Sequence, residues 1–166
     1  TSADETSVAV TEERRVIASS QYSQMLTHTK WGGIVPSIAK RAHEERIAHV
    51  VSDALKRSKK KLDDIDYIAV TIGPGLAVAL EVGIKYAKYL ANLHNKKIIP
   101  VNHMEGHIYS CFVENTNGNP VRQISFPYLS LLISGGHTEL VILKDHLIYE
   151  VIGQTRDDAA GDDGSA

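Results

Sequence analysis

The chain is poor in cysteine: Cys111 is the one thiol among 166 residues. An intrachain disulfide framework is thereby excluded, and a reducing compartment is the natural setting. Long apolar runs are missing too, so no segment reads as a membrane span, and no secretory signal is visible. Neither charge sign dominates. Eighteen Lys and Arg against 20 Asp and Glu leave a net charge of -2, which excludes a uniformly basic protein that coats nucleic acid, though not a local basic patch. What is present is ordinary globular material, 43% hydrophobic and 23% charged, enough for one core or a core plus part of another.

Apolar–polar alternation around the charged turn EERR predicts a β-hairpin over residues 6–20. Pro36 then opens a helical pattern that runs through KRS. Ile47, Val50, Val51 and Ala54 share one face of it. Ile38, Ala39 and Ala42 cluster on another side near its start. DYIAVTI reads as a buried strand, followed by Gly-Pro-Gly and a helix over about residues 76–93. KKIIPV is a further strand, and a third helix is expected from Asn102 to about Val113. Three strands close the chain: PYLSLLIS, HTELVILK and HLIYEVIG. Strands alternating with helices indicate an α/β fold with parallel pairing. The first hairpin and the last share one plan: a small-polar loop, a strand, a tight charged turn and a returning strand. Such an echo fits a duplicated two-lobe fold, and equally fits two unrelated hairpins.

Several stretches carry candidate chemistry. In PVNHMEGHIYS, Asn102 sits where a strand hands over to a helix, with Glu105 three residues on, an arrangement like a capping box. His103 and His107 then fall roughly 40° apart on one helical face. Two imidazoles so placed can share one divalent metal, or be ordinary helix residues bonded to water or backbone. Their position at the carboxyl end of a strand, where open α/β sheets bind ligands, favours the first reading. Two ligands do not complete a site, so a third must come from elsewhere. Met104 stands where the zincin proteases need glutamate, which disfavours a metalloprotease of that type.

SGGHT, residues 134–138, offers closely spaced backbone N–H groups to an anion, or simply a tight hairpin turn. His137 is either a third metal ligand or a loop histidine facing water. The Gly-Pro-Gly turn precedes a helix N-terminus that would favour an anion; close helix–strand packing explains its glycines almost as well. It lacks the Lys-Ser/Thr of a Walker A loop. TSADETS places Asp4 and Glu5 in a loop dense with hydroxyls, suited to phosphate and metal handling or to a general base, or else simply solvated. KRSKKK closes the long helix, where cations complement its dipole, with contact to a nucleic-acid backbone as the secondary reading. Met104 and Cys111 read as packing residues.

TSADET, GGIVPSIAKRAHEERI, GPGL, NHMEGH, SGGHTEL and TRDDAAG occur in this order. Together they resemble the TsaD/Gcp family, the tRNA N6-adenosine threonylcarbamoyltransferases, formerly known as O-sialoglycoprotein endopeptidases. The resemblance implies an actin-like ATPase (ribonuclease H-like) α/β lobe, with a mixed sheet and flanking helices, plus the first strands of a second similar lobe. The expected division is residues 1–123 for the first lobe, lacking its first strand, and 124–166 for the opening of the second.

The implied reaction moves a threonylcarbamoyl group from threonylcarbamoyl-adenylate to N6 of the adenosine beside the anticodon. By the same resemblance, His103 and His107 match the metal ligands, with one iron or zinc ion as cofactor. Leu132, Ile133, Ser134, Gly135 and Gly136 match the loop holding the adenylate, an ATP-type nucleotide. Glu5 matches an acidic catalytic residue, and Asp4 its neighbour on the phosphate side. The implied partners are tRNA, a smaller paralogous subunit and an ATPase subunit, with no membrane and a cytoplasmic location. A non-catalytic, dimerising paralogue is the alternative, which the histidine pair disfavours; a metalloendopeptidase is third.

Departures from the family pattern are specific. Ala3 takes a usual cysteine position, and Val78 and Glu81 replace a small and a neutral residue. Ser165, in the tail DDGSA, falls where a substrate-contacting aspartate is expected. The aspartate completing the metal set is expected beyond Gly161, so the chain is read as an N-terminal fragment, inactive by itself.

Overall fold

The computed structural model describes residues 1–133 and 138–155. They form two compact units: Thr1–Gly106 with Val113–Pro120, and His107–Phe112 with the residues from Val121 onward.

The first unit opens with an antiparallel hairpin, β1 (Glu5–Glu12) and β2 (Arg15–Ser23). Glu13 takes a left-handed φ of 53° at its turn. A short helix α1 (Met25–His28) leads into α2 (Pro36–Ser58). Pro36 sits in the first turn of α2, where a missing N–H costs nothing. At the other end Lys59 adopts φ 57°, and the N–H groups of Lys59 and Lys60 close back onto the carbonyls of Lys56 and Leu55. The basic run is therefore a helix terminus, and its charges oppose the dipole there.

One stripe of α2 is buried: Ala39, His43, Ile47, Val50, Ala54 and Ser58. Ala39 thus belongs with Ile47, not on a second face. The imidazole of His43, one turn from each, hides that continuity from a reading of apolar residues alone. This stripe packs on β1, β2 and the next long helix.

Strand β3 (Tyr67–Gly73) pairs in parallel with β4 (Lys97–Asn102), and α3 (Ala77–His94) makes the crossover between them. The antiparallel pair β1–β2 and the parallel pair β3–β4 form separate two-stranded sheets. Between them runs a groove lined by Thr6–Thr11 of β1, Tyr67–Thr71 of β3, and apolar residues of α2 and α3 including Ile47 and Leu90.

The second unit holds a three-stranded antiparallel sheet: β5 (Tyr128–Ile133), β6 (Thr138–Asp145) and β7 (Ile148–Gln154). The β6–β7 hairpin repeats devices of β1–β2. Leu147 takes a left-handed φ of 60° at its turn, and a register irregularity interrupts each ladder. Val141, Leu143 and Ile108 are buried. An aromatic cluster of Tyr109, Phe112, Phe126, Tyr128 and His146 extends this core, with edge-on pairs such as Phe126–His146 at 4.8 Å. Leu143 is 1% exposed but borders a cavity shared with Ile108 and Phe112, into which neighbours can relax. Leu143→Ala is therefore expected to cost about 2 kcal/mol, at the low end for a buried leucine, measured as a shift in urea midpoint. Among the described residues no helix is long and apolar enough to cross a membrane.

Candidate functional site

Helix α4 (His103–Ser110) starts directly where β4 ends. The Asn102 side chain accepts hydrogen bonds from the N–H of Met104 at 2.9 Å and of Glu105 at 3.3 Å. It is the N-cap, satisfying two donors that the helix start would otherwise leave without partners. His103 and His107 are the first and fifth residues of this helix, one turn apart along it. His103 is half-buried and His107 exposed. Each takes part in an interaction with its surroundings. Among the described residues no group of three His, Cys, Asp or Glu is placed to hold a metal. The donor chemistry therefore fits the imidazole half of a divalent-metal seat and supplies no third ligand.

The helix is shorter than expected. It stops at Ser110, whose hydroxyl donates to the His107 carbonyl at 2.6 Å. Cys111 and Phe112 then bond three residues back, tightening the turn. Cys111 lies at the surface, so it is not the packing residue its position implied.

The acidic loop meets the end of the β3–β4 pair through backbone contacts. Leu76 N–H donates to the Ser2 carbonyl at 2.7 Å. Gly75 stands at φ 154°, and a Cβ there would lie 2.5 Å from the same carbonyl oxygen. Glycine is required by the conformation and by the close approach together. Gly73 in turn is in register with Asn102. Within the first unit, then, the TSADET loop, the Gly-Pro-Gly turn and the start of α4 gather at one end of the parallel pair. Open α/β sheets bind ligands at this end.

Asp4 is half-buried, and its carbonyl accepts from Gln24 N–H at 3.0 Å. Glu5 opens β1 with an exposed side chain. At the far end of the chain, Leu132 is buried and Ile133 is 56% exposed. Ser134, Gly135, Gly136 and His137 lie outside the described residues, as does the tail that includes Ser165. Thr138 and Thr155 close the hairpin beside that loop, with Thr138 N–H donating to Thr155 Oγ1 at 2.7 Å. Glu81, the charged departure, pairs with Lys85 at 2.7 Å and with Lys40 of α2 at 3.9 Å. The Lys85 hydrogen bond holds its carboxyl below the ordinary range. Its charge is thus engaged by two lysines.

Sequence reasoning missed a set of buried polar side chains behind the acidic loop: Thr6, Gln24, His28 and His43. His43 is 0% exposed. Its Nε2 lies 2.8 Å from the Ala3 carbonyl, and its Nδ1 2.7 Å from Thr6 Oγ1. The carbonyl can only accept, so Nε2 carries a proton, and in the neutral ring Nδ1 then accepts from the Thr6 hydroxyl. The available signal was a polar residue on an otherwise apolar helical stripe.

The model of the family described as TsaD, tRNA N6-adenosine threonylcarbamoyltransferase, matches residues 15–165. The tRNA N6-adenosine threonylcarbamoyltransferase of Staphylococcus epidermidis (strain ATCC 12228 / FDA PCI 1200) is 48% identical over 163 residues, covering 98% of this chain and 46% of that protein. Its namesake in Staphylococcus aureus (strain MRSA252) is 47% identical with the same coverage. The chain thus spans about half the length of the curated relatives it matches. Among solved structures, YeaZ from Pseudomonas aeruginosa superposes with a TM-score of 0.52 at 16% identity, covering 93% of this chain and 62% of that one. That likeness bears on the fold alone, which is the actin-like α/β architecture. By the extent of the family match and the identity over nearly its whole length, the chain belongs to the TsaD family.

Proposed function

We propose that this chain supplies the first-lobe half of a tRNA N6-adenosine threonylcarbamoyltransferase. The observation that carries the reading is the Asn102-capped helix, which starts His103 and His107 at the carboxyl end of β4, beside the turn that grips the TSADET loop. Family membership supports it. His103 and His107 would hold one iron or zinc ion, with the remaining ligands from outside the described residues. When bound, such an ion supplies Lewis acidity and a template for substrate oxygens. Glu5, exposed at the start of β1, is the group available to take the proton released as the N6 amine attacks the carbamoyl carbon and the carbon–oxygen bond to the adenylate phosphate breaks, releasing AMP. Asp4, anchored by its own backbone, lines the phosphate side. Leu132 to Gly136 would hold the adenylate. A smaller paralogous subunit and an ATPase subunit are the partners of this reading. The chain alone is not expected to turn over.

The test is a graft. This chain replaces the corresponding 163 residues of the Staphylococcus epidermidis relative. The graft is assayed with threonylcarbamoyl-adenylate and unmodified tRNA. It is expected to form threonylcarbamoyladenosine, and Glu5→Ala in it to lower kcat by about 100-fold or more, the usual weight of a general base. A folded graft that modifies no tRNA would overturn the reading.

A further inference from the structure

The structure assigns His43 of α2 as a positioning residue that fixes the acidic loop from behind, a role that rests on the transferase reading for its catalytic meaning. The ring spans the loop like a strut. Nε2–H holds the Ala3 carbonyl at 2.8 Å, and Nδ1 receives the Thr6 hydroxyl at 2.7 Å. Asp4 and Glu5 are the two residues between these anchor points. Gln24 N–H donates to the Asp4 carbonyl at 3.0 Å, just past the Glu5–Ser23 pair of the hairpin. Every residue from Ala3 to Thr6 except Glu5 is thus held by a bond to Gln24 or His43. The side chain nominated as base is left at the surface, with bonded residues on both sides of it.

The support continues past the loop. Val35 N–H donates to His28 Nδ1 at 3.4 Å, which leaves His28 Nε2–H to donate to Gln24 Oε1 at 3.0 Å. Gln24 Nε2 donates to the Ala39 carbonyl at 3.4 Å, one turn before His43. Among the described residues no buried side-chain N or O lacks a partner. A helix core that needed only packing would place an aliphatic residue between Ala39 and Ile47. An imidazole there, fully enclosed and bonded at both nitrogens, is instead matched to the loop's backbone. In the neutral ring Nδ1 accepts from the Thr6 hydroxyl, and full enclosure favours that form. Burial, the largest influence, lowers its pKa below the ordinary value. The bond to the Ala3 carbonyl and the charge of Asp4 raise it, and His28 lowers it. A pKa depressed on folding means that the neutral ring stabilises the native state fully above pH 6.5 and progressively less as pH falls through the native value.

Two measurements test the assignment. In the chain itself, 15N NMR is expected to find the His43 ring neutral with the proton on Nε2. On acidification below pH 6.5, the Asp4 and Glu5 amides should shift in step with the His43 ring, and His43→Gln should abolish that step. Amides that stay still while the ring titrates would overturn the proposal. In the graft described above, His43→Leu is expected to lower kcat by about 100-fold, as a misplaced reacting group does, with KM for tRNA unchanged. His43→Gln, which keeps a donor for Ala3, should recover most of it. A lowered melting temperature with kcat intact in both variants would reduce His43 to packing and overturn the proposal. A graft that modifies no tRNA removes the transferase reading, and the titration then decides the positioning role by itself. Should His43→Leu fail to fold, Thr6→Val takes its place.

Discussion

Alanine at both His103 and His107 is expected to remove divalent metal from the protein while leaving its fold intact. The pair belongs to a helix whose start is secured elsewhere, by Asn102 bonding to the N–H groups of Met104 and Glu105. His107 is exposed and His103 half-buried, so neither truncation opens a core cavity. Far-ultraviolet spectra and melting temperature should hold within the small range of surface substitutions. Metal content behaves differently. Losing an outer-shell partner already weakens metal affinity by about 10- to 100-fold, and losing an inner ligand costs more. Either single variant of the Staphylococcus epidermidis graft should therefore bind iron or zinc more than about 100-fold more weakly, and the double variant should carry none after dialysis. Elemental analysis of the purified proteins reads this without any assay of turnover. Tight, stoichiometric metal in the double variant would refute the assignment of both histidines.

Local pattern made most of this molecule legible, and the failures share one cause. Pro36 and the Ile47–Val50–Ala54 spacing located α2, the run DYIAVTI located β3, and Asn102 with Glu105 located the start of α4. Each of these signals acts within a few residues of chain. The end of α4 was misread because Cys111, Phe112 and Val113 continue an apolar pattern, while the chain turns at Ser110 and Phe112 joins an aromatic cluster. Contacts distant in sequence left weaker traces. His43 reaches Ala3 across 40 positions and Thr6 across 37. Nothing near His43 in the sequence says that its partners are a backbone carbonyl and a hydroxyl. Likewise, the separation of β1–β2 from β3–β4 is a matter of pairing between strands, which alternation within each strand does not encode. The resemblance named the acidic loop and the histidines. The hydrogen bonds that hold its backbone come from the buried polar set behind it.

Gly75→Ala is the second substitution with a large expected effect, and its contrast with Gly106→Ala makes the argument quantitative. At Gly75 two costs add. A φ of 154° is foreign to residues with a side chain, and the new Cβ would sit 2.5 Å from the Ser2 carbonyl oxygen, a backbone atom that cannot rotate aside. Backbone strain of this kind costs roughly 1–3 kcal/mol, and overpacking roughly as much again. Relief requires the Ser2 carbonyl to withdraw, which breaks its 2.7 Å bond from Leu76 N–H and frees the loop that leads into Asp4. A loss of about 4 kcal/mol is expected, read from urea unfolding, together with faster amide exchange over residues 2–5. Gly106 lies inside α4, and a methyl group there would meet no neighbour within 4 Å. Alanine at that position should stabilise by up to about 1 kcal/mol through helix propensity alone. The two glycines stand 31 positions apart with opposite expected signs. Matching midpoints for the two variants would show that the Ser2 carbonyl does not press on the Gly-Pro-Gly turn, and the loop would then have to be held by His43 and Gln24 alone.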